Sequence, residues 1–225
     1  MTIFLTKTEN DQVHHFRTMV EHNGVEIVQG VMYEWIEKEW LNFEDHASAA
    51  VKQNELVEEK IKEGFRVTEF HESPANTLDV YDKAKWHYSG DFPDELEAFQ
   101  AYVHTGMFLG WCMDNDLVSE RFKSELAEEI EQFRQHKFTG PQIFKRCCDG
   151  VLMLEDLSVP GNRFAMVYFE FNKGRYLFDY EQTLGQNLPS IYHVADAWEN
   201  YEKLTKVINE RYAAWKRSPG DFSPG

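Results

Sequence analysis

The side chains with chemistry to offer are histidines beside acids in the later two thirds of the chain. They are Trp86-His87 followed by Asp91, His104 with Thr105, and Tyr192-His193 followed by Asp196. Imidazole titrates near neutrality and ligates metals, so His87, His104 and His193 converging with Asp91 or Asp114 would make a general acid–base or metal site. A small-molecule pocket built on Trp86, His87, Asp91 and His104 is one form of such a site, and Tyr81, Trp86, Tyr88 and Phe92 could line it. The plainer reading is structural. His104 lies between Val103 and Thr105-Gly106 in an apolar run, where a hydrogen-bonded core histidine is the commoner outcome. His14-His15 opens a strand, so one ring must point outward and the pair has no metal geometry by itself.

Established catalytic spacings are missing. The 13 glycines form neither G-x-G-x-x-G nor a P-loop, and H-E-x-x-H, Cys/His zinc spacing, an EF-hand loop and a G-x-S-x-G elbow are absent. Spacing alone therefore nominates no catalytic residue, no metal site and no cofactor, and the expectation leans away from an enzyme. Three cysteines, Cys112 and the adjacent Cys147 and Cys148, make no disulfide framework, which suits a reducing compartment. The apolar run Ile3-Phe4-Leu5 is cut short by Lys7, Glu9 and Asp11, so no signal peptide is expected, and Gly106 to Met113 ends at Asp114 and Asp116, short of a membrane span. A cytoplasmic location is the expectation.

Charge narrows the partners. Among 225 residues, 23 are Lys or Arg and 39 are Asp or Glu, a net of −16, while 42% are hydrophobic and 15% aromatic. So much apolar material folds rather than staying disordered, and so acidic a chain repels polyanions and anionic membranes while attracting basic protein surfaces. Residues 1–75 hold 7 basic and 15 acidic side chains, so the first third carries half the net charge.

The elements that must position these groups read as α+β, in one small and one larger domain. Val13 to Val20 and Gly24 to Met32 are strands joined across His22-Asn23-Gly24, with a third extended stretch from Tyr33 to Phe43. A helix follows with Ala47, Ala50, Asn54, Val57 and Ile61, and Ala49, Leu56 and Lys60, at helical spacing, their apolar positions on one stripe and Gly64 at its end. Glu72 to Asn76 reads as a linker, giving domains of residues 1–72 and 77–217 and a tail of 218–225. In the second domain a helix is expected from Asp94 and Glu95, where acids complement the N-terminal dipole, through Leu96, Phe99, Val103, Met107, Phe108 and Trp111. Another starts at Ser119 and buries Leu126, Ile130 and Phe133, and a short one opens at Thr139-Gly140-Pro141. The aromatic and β-branched runs Arg163 to Phe171 and Arg175 to Tyr180, joined by Asn172-Lys173-Gly174, predict a β-hairpin. A last helix, about Val194 to Trp215, carries Ala197, Tyr201, Leu204, Ile208, Tyr212 and Trp215 as its seam.

Two stretches resemble known families. Phe43-Glu44-Asp45-His46-Ala47 through Glu59-Lys60-Ile61-Lys62-Glu63-Gly64-Phe65 resembles the end of a WGR domain, although Gln29-Gly30-Val31 stands about where the Trp-Gly-Arg tripeptide would be. That resemblance implies a small antiparallel sheet plus helix over residues 1–72, and a nucleic-acid-associated regulator as one function. From about Asp79 to Trp215 the chain is similar to a family of uncharacterised bacterial domains, on Tyr-Asp-x-Ala-x-Trp-His at 81–87, Gly-Asp-Phe-Pro at 90–93 and His-Thr-Gly-Met-Phe-Leu-Gly-Trp at 104–111. Small acidic bacterial proteins of this kind resemble immunity proteins, which implies a cytoplasmic protein that neutralises a cognate toxin or effector with a basic surface. The contacts expected are Glu34, Glu37 and Glu39 with Glu55, Glu58, Glu59 and Glu63. The alternatives are the His/Asp pocket enzyme and the nucleic-acid regulator.

Overall fold

A computed structural model describes residues 2–10, 12–31, 35–68, 80–88, 92–169 and 174–217. The chain divides into two compact units, Met1–Thr77 and Leu78–Gly225, and the architecture is α+β. The expected linker and the tail of 218–225 lie outside the described residues.

Unit 1 is a five-stranded antiparallel sheet with one helix. Its strands are β1 (Thr2–Glu9), β2 (Gln12–Glu21), β3 (Gly24–Val31), β4 (Trp35–Asn42) and β5 (Arg66–Val67), in the order β4-β3-β2-β1-β5. Strand period two puts Leu5, Phe16, Val20, Val25 and Ile27 on one face, and α1 (His46–Lys62) covers that face with Ala49 and Gln53 buried. The Gln53 amide donates to the Thr18 carbonyl at 3.1 Å, so the one long polar side chain on the packed stripe is satisfied. Asp45 caps the helix by accepting from the Ser48 N–H at 2.7 Å, and Gly64, at φ 95°, ends it. The β2–β3 turn falls where expected, for a different reason. The positive φ sits on His22, at 54°, while Gly24 starts β3 and lacks a Cβ because the Trp40 indole would lie 2.2 Å from it. Strand β1 was not foreseen: its Ile-Phe-Leu run, read against a leader, is the middle of a strand whose Leu5 is buried opposite Phe16.

Unit 2 is built around α2 (Val103–Asp114), in which every residue but Asp114 is buried. It begins later than expected. Glu97 has extended backbone, ψ 143°, so a helix started at Asp94 cannot continue, and a 3-10 turn over Ala98–Tyr102 leads into α2 instead. The helix begun by Ser119 breaks at Leu126 into α3 (Glu120–Glu125) and α4 (Ala127–Arg134), leaving Ile130 and Phe133 buried and Leu126 at the break. Thr139 caps α5 (Gly140–Cys147) in a capping box with Gln142. Helices α2 and α5 cross at near backbone contact: a Cβ on Gly106 would lie 2.2 Å from the Pro141 Cα, and one on Gly140 2.2 Å from the Gly106 oxygen.

The hairpin expected over residues 163–180 is corrected. Residues 163–168 lie in α6 (Val159–Tyr168) and 176–180 form α7 (Tyr176–Tyr180), while Glu170, Phe171 and the Asn172 and Lys173 of the expected turn lie outside the described residues. Strand propensity measures fit to a half-buried surface, and a helix buried on several sides shows the same two apolar faces. The deciding signals were Ser158, which caps α6, Pro160 in its first turn, and Gly161, Phe164, Ala165 and Tyr168 at helical spacing. Among the described residues, the named strands of unit 2 are a two-stranded pair, β6 (Val80–Lys83) with β7 (Val151–Met153), beside an isolated bridge between Val118 and Leu157. The final helix, α8 (Trp198–Arg217), buries Tyr201, Leu204, Ile208 and Trp215 as its seam predicts. Arg211 of α8 grips buried Asp179 of α7 through two hydrogen bonds, 2.8 and 3.0 Å, and the Tyr168 hydroxyl of α6 donates to the same carboxylate at 3.1 Å. Among the described residues no helix is long and apolar enough to cross a membrane.

Candidate functional site

Asp82 is the centre of a place in unit 2 where two histidines, His87 and His104, meet one buried acid. Strand β6 carries a register irregularity between Val80 and Asp82, so consecutive residues Tyr81 and Asp82 are both buried where a regular strand would turn one outward. The Tyr81 hydroxyl donates to Asn162 Oδ1 at 2.7 Å, and the fully buried Asp82 carboxylate faces the start of α2. The chain leaves β6 through a 3-10 turn, Ala84–Tyr88, whose tight winding returns His87 to the acid five residues earlier: His87 Nε2 lies 2.9 Å from Asp82 Oδ1. On α2, His104 Nε2 lies 3.5 Å from Asp82 Oδ2, and the Thr105 hydroxyl donates to that same oxygen.

Around this core the His87 and His104 rings meet edge to face, with centroids 4.5 Å apart. The other His87 nitrogen, Nδ1, lies 3.1 Å from the Tyr192 hydroxyl. Tyr192 is held in turn by Gln100, whose amide donates to the Tyr192 and Val194 carbonyls at 2.6 and 3.0 Å. The Tyr176 hydroxyl donates to the His104 carbonyl. Burial alone would push the Asp82 carboxyl up, but hydrogen bonds and charge from His104 and His87 outweigh it and hold the group below its ordinary range. Full burial holds the His104 imidazole below its usual value in spite of Asp82.

Of the expected pocket residues, the structure thus brings His87 and His104 together. Trp86, about half exposed, has the Lys83 ammonium 5.5 Å from its ring centroid, and Asp91 lies outside the described residues. His193 is not in the cluster: it meets Ser190 Oγ at 2.9 Å and Glu95 at 3.4 Å. Asp114 accepts from the Tyr201 hydroxyl at 2.6 Å, and Asp196 from the Thr139 hydroxyl at 2.6 Å. Asp82 is the functional candidate that sequence reasoning passed over, although it stands in the same Tyr-Asp-x-Ala-x-Trp-His run as His87. The cysteines offer no nucleophile, since burial pushes the Cys112, Cys147 and Cys148 thiols up.

In unit 1, Glu37 and Glu39 of β4 and Glu55, Glu58, Glu59 and Glu63 of the α1 segment are exposed, and Glu34 lies outside the described residues. Glu37 and Glu39 pair with Gln29 and Ile27, which places them on the face of the sheet that α1 covers.

No curated protein and no solved structure matches the chain. Residues 80–194, which contain Asp82, His87, His104 and Tyr192, match the model of a family described as Domain of unknown function (DUF7832), and with just over half its length matched the chain belongs to that family.

Proposed function

We propose that this protein is a cytoplasmic immunity protein that binds a cognate antibacterial toxin or effector and covers its active site with the acidic side of unit 1. The observation that carries the reading is the set of exposed glutamates on one side of the sheet, Glu37 and Glu39 with Glu55, Glu58, Glu59 and Glu63. They are little neutralised. Lys52–Glu55 and Lys60–Glu63 pair across 3.5 and 2.9 Å on the surface, and such pairs hold their partners weakly. A rigid acidic face of this kind speeds association with a basic cleft and makes it salt-sensitive. The WGR resemblance of residues 1–72 is taken into this reading for its fold only: with Gln29-Gly30-Val31 about where the tripeptide would be, and with so acidic a surface, a protein partner fits better than nucleic acid.

The test is calorimetric titration of the full chain against the toxin encoded beside its gene, at low and high salt. Replacing Glu37, Glu39, Glu58 and Glu59 by Gln should slow association at low salt by at least tenfold, and absence of binding by the unaltered chain at low salt would sink the reading. A second reading is favoured by the Asp82–His87–His104 centre: a small-molecule-binding or enzymatic unit in which Asp82 takes the part expected of Asp91. Its test is a thermal-shift panel of nucleotides and small organic acids, in which a response that His87→Gln removes supports it.

A further inference from the structure

We infer that Asp82, His87 and His104 form a binding site for a divalent transition-metal ion, of which zinc is the best fit. Each residue offers one ligand atom, and the three atoms lie within 4.8 Å of one another. Among the described residues no other group of His, Cys, Asp and Glu does this. The inference deepens the second reading above and rests on the same centre, while standing apart from the acidic face of unit 1.

The geometry is close to what an ion needs. With metal–ligand bonds of about 2.0–2.2 Å, adjacent ligand atoms sit roughly 2.9 Å apart around an octahedral ion and roughly 3.4 Å apart around a tetrahedral one. His87 Nε2 stands 2.9 Å from Asp82 Oδ1 and His104 Nε2 3.5 Å from the other carboxylate oxygen, Oδ2, so both imidazole nitrogens lie at about such a distance from the one carboxylate and the three ligand atoms fall within 4.8 Å. Two imidazole nitrogens and one carboxylate suit zinc and its neighbours over magnesium or calcium, which prefer all-oxygen sets. Three protein ligands also leave a position for water or substrate, as catalytic sites do and closed structural sites do not.

The surroundings match those of a ligand set. Metal-binding histidines anchor their second ring nitrogen, and His87 Nδ1 meets the Tyr192 hydroxyl at 3.1 Å; with an ion bound, Nδ1–H would donate to that oxygen and Nε2 would be the ligand atom. Two electron-rich atoms 2.9 Å apart require a proton or a cation between them, and the metal takes the proton's place. Ligating carboxylates are likewise held, and the Thr105 hydroxyl donates to Asp82 Oδ2. Sequence spacing concealed the site because its ligands come from a strand, a 3-10 turn and a helix rather than from one motif of fixed period.

The test uses the full chain, stripped with chelator and titrated with Zn2+ by calorimetry and with Co2+ by visible absorption. One ion per chain is expected, with a cobalt spectrum of low-symmetry N/O coordination. His87→Gln should weaken Zn2+ binding at least 100-fold, while His22→Ala, at an exposed histidine, changes nothing. His87→Cys separates coordination from a structural role, because a thiolate ligand adds an intense near-ultraviolet charge-transfer band to the cobalt spectrum and a bystander does not. Both variants are checked for an unaltered metal-free melting curve, and if His87→Gln proves misfolded the His87→Cys spectrum decides alone. The inference is overturned if the full chain takes up no stoichiometric ion, if His87→Gln binds as the parent does, or if His87→Cys shows no new band. Because no organic ligand is present, this failure is distinct from a blank result in the thermal-shift panel.

Discussion

Burial of His15, stacked on Phe4 at a centroid distance of 6.3 Å, holds its imidazole at about 4 instead of 6.5, with Arg17 and His14 adding to the effect. A histidine depressed in the fold contributes stability that is complete above its unfolded value and is lost as pH falls from 6.5 toward 4, on the order of 2 kcal/mol here. The hydrogen-exchange protection factors of the β1 and β2 amides in the full chain, corrected for the intrinsic pH dependence of exchange, should therefore fall between pH 7 and pH 4.5, and His15→Leu should flatten that response. Asp156 behaves in the opposite sense. Burial raises its carboxyl to about 6 against the opposing pull of the Met153 N–H and Arg121, so its contribution is complete below 3.8 and is lost as pH rises through about 6. Asp156→Asn, which keeps an acceptor for the Met153 N–H 2.7 Å away, is expected to stabilise unit 2 by about 1–2 kcal/mol at pH 7 in denaturant unfolding. At Asp82 the same replacement costs stability. Asparagine has one acceptor oxygen where His87 and Thr105 meet two, and it carries no charge beside His104, so the metal-free chain should lose about 3 kcal/mol.

Between elements the tightest constraint is the crossing of α2 and α5 through Gly106 and Gly140. A methyl group on Gly106 would lie 2.2 Å from the Pro141 Cα and 2.5 Å from its nitrogen, both backbone atoms that cannot rotate aside. Gly106→Ala should cost about 3 kcal/mol or more by circular dichroism melting, more than overpacking usually costs, because the helices themselves must part. Much at this scale was legible. The Asp45 region, Gly64, Ser119 and Thr139 announced helix ends because a cap is a local hydrogen bond between near neighbours in the chain. Phe164, Tyr168, Tyr176 and Tyr180 suggest strands by type but are buried in short helices, and Ser158 and Pro160 carry more information than the strand propensity of Val167 or Tyr168. For the site, His87 and His104 could be named from residue type. Their acid could not, because a register irregularity in β6, rather than any sequence period, turns Asp82 inward.

Across the whole molecule the two units divide the properties read from the sequence. Unit 1 presents glutamates on a sheet and one helix, while unit 2 holds the aromatic core and the Asp82 centre within the family-matched segment. Unit 2 is closed late in sequence, since Arg211 of α8 ties down Asp179 through two hydrogen bonds and draws α6 in through Tyr168. Arg211→Met should lower the stability of unit 2 by about 2–3 kcal/mol by leaving a buried carboxylate underpaired, with unit 1 unaffected in hydrogen exchange. The span from His87 to Tyr192 is 105 residues. A nascent chain halted on the ribosome before Tyr192 emerges would hold Asp82, His87 and His104 without the hydroxyl that orients His87. Synthesis order thus separates the ligands from the group that orients them: the centre reaches its full arrangement only once the chain through Tyr192 has been made.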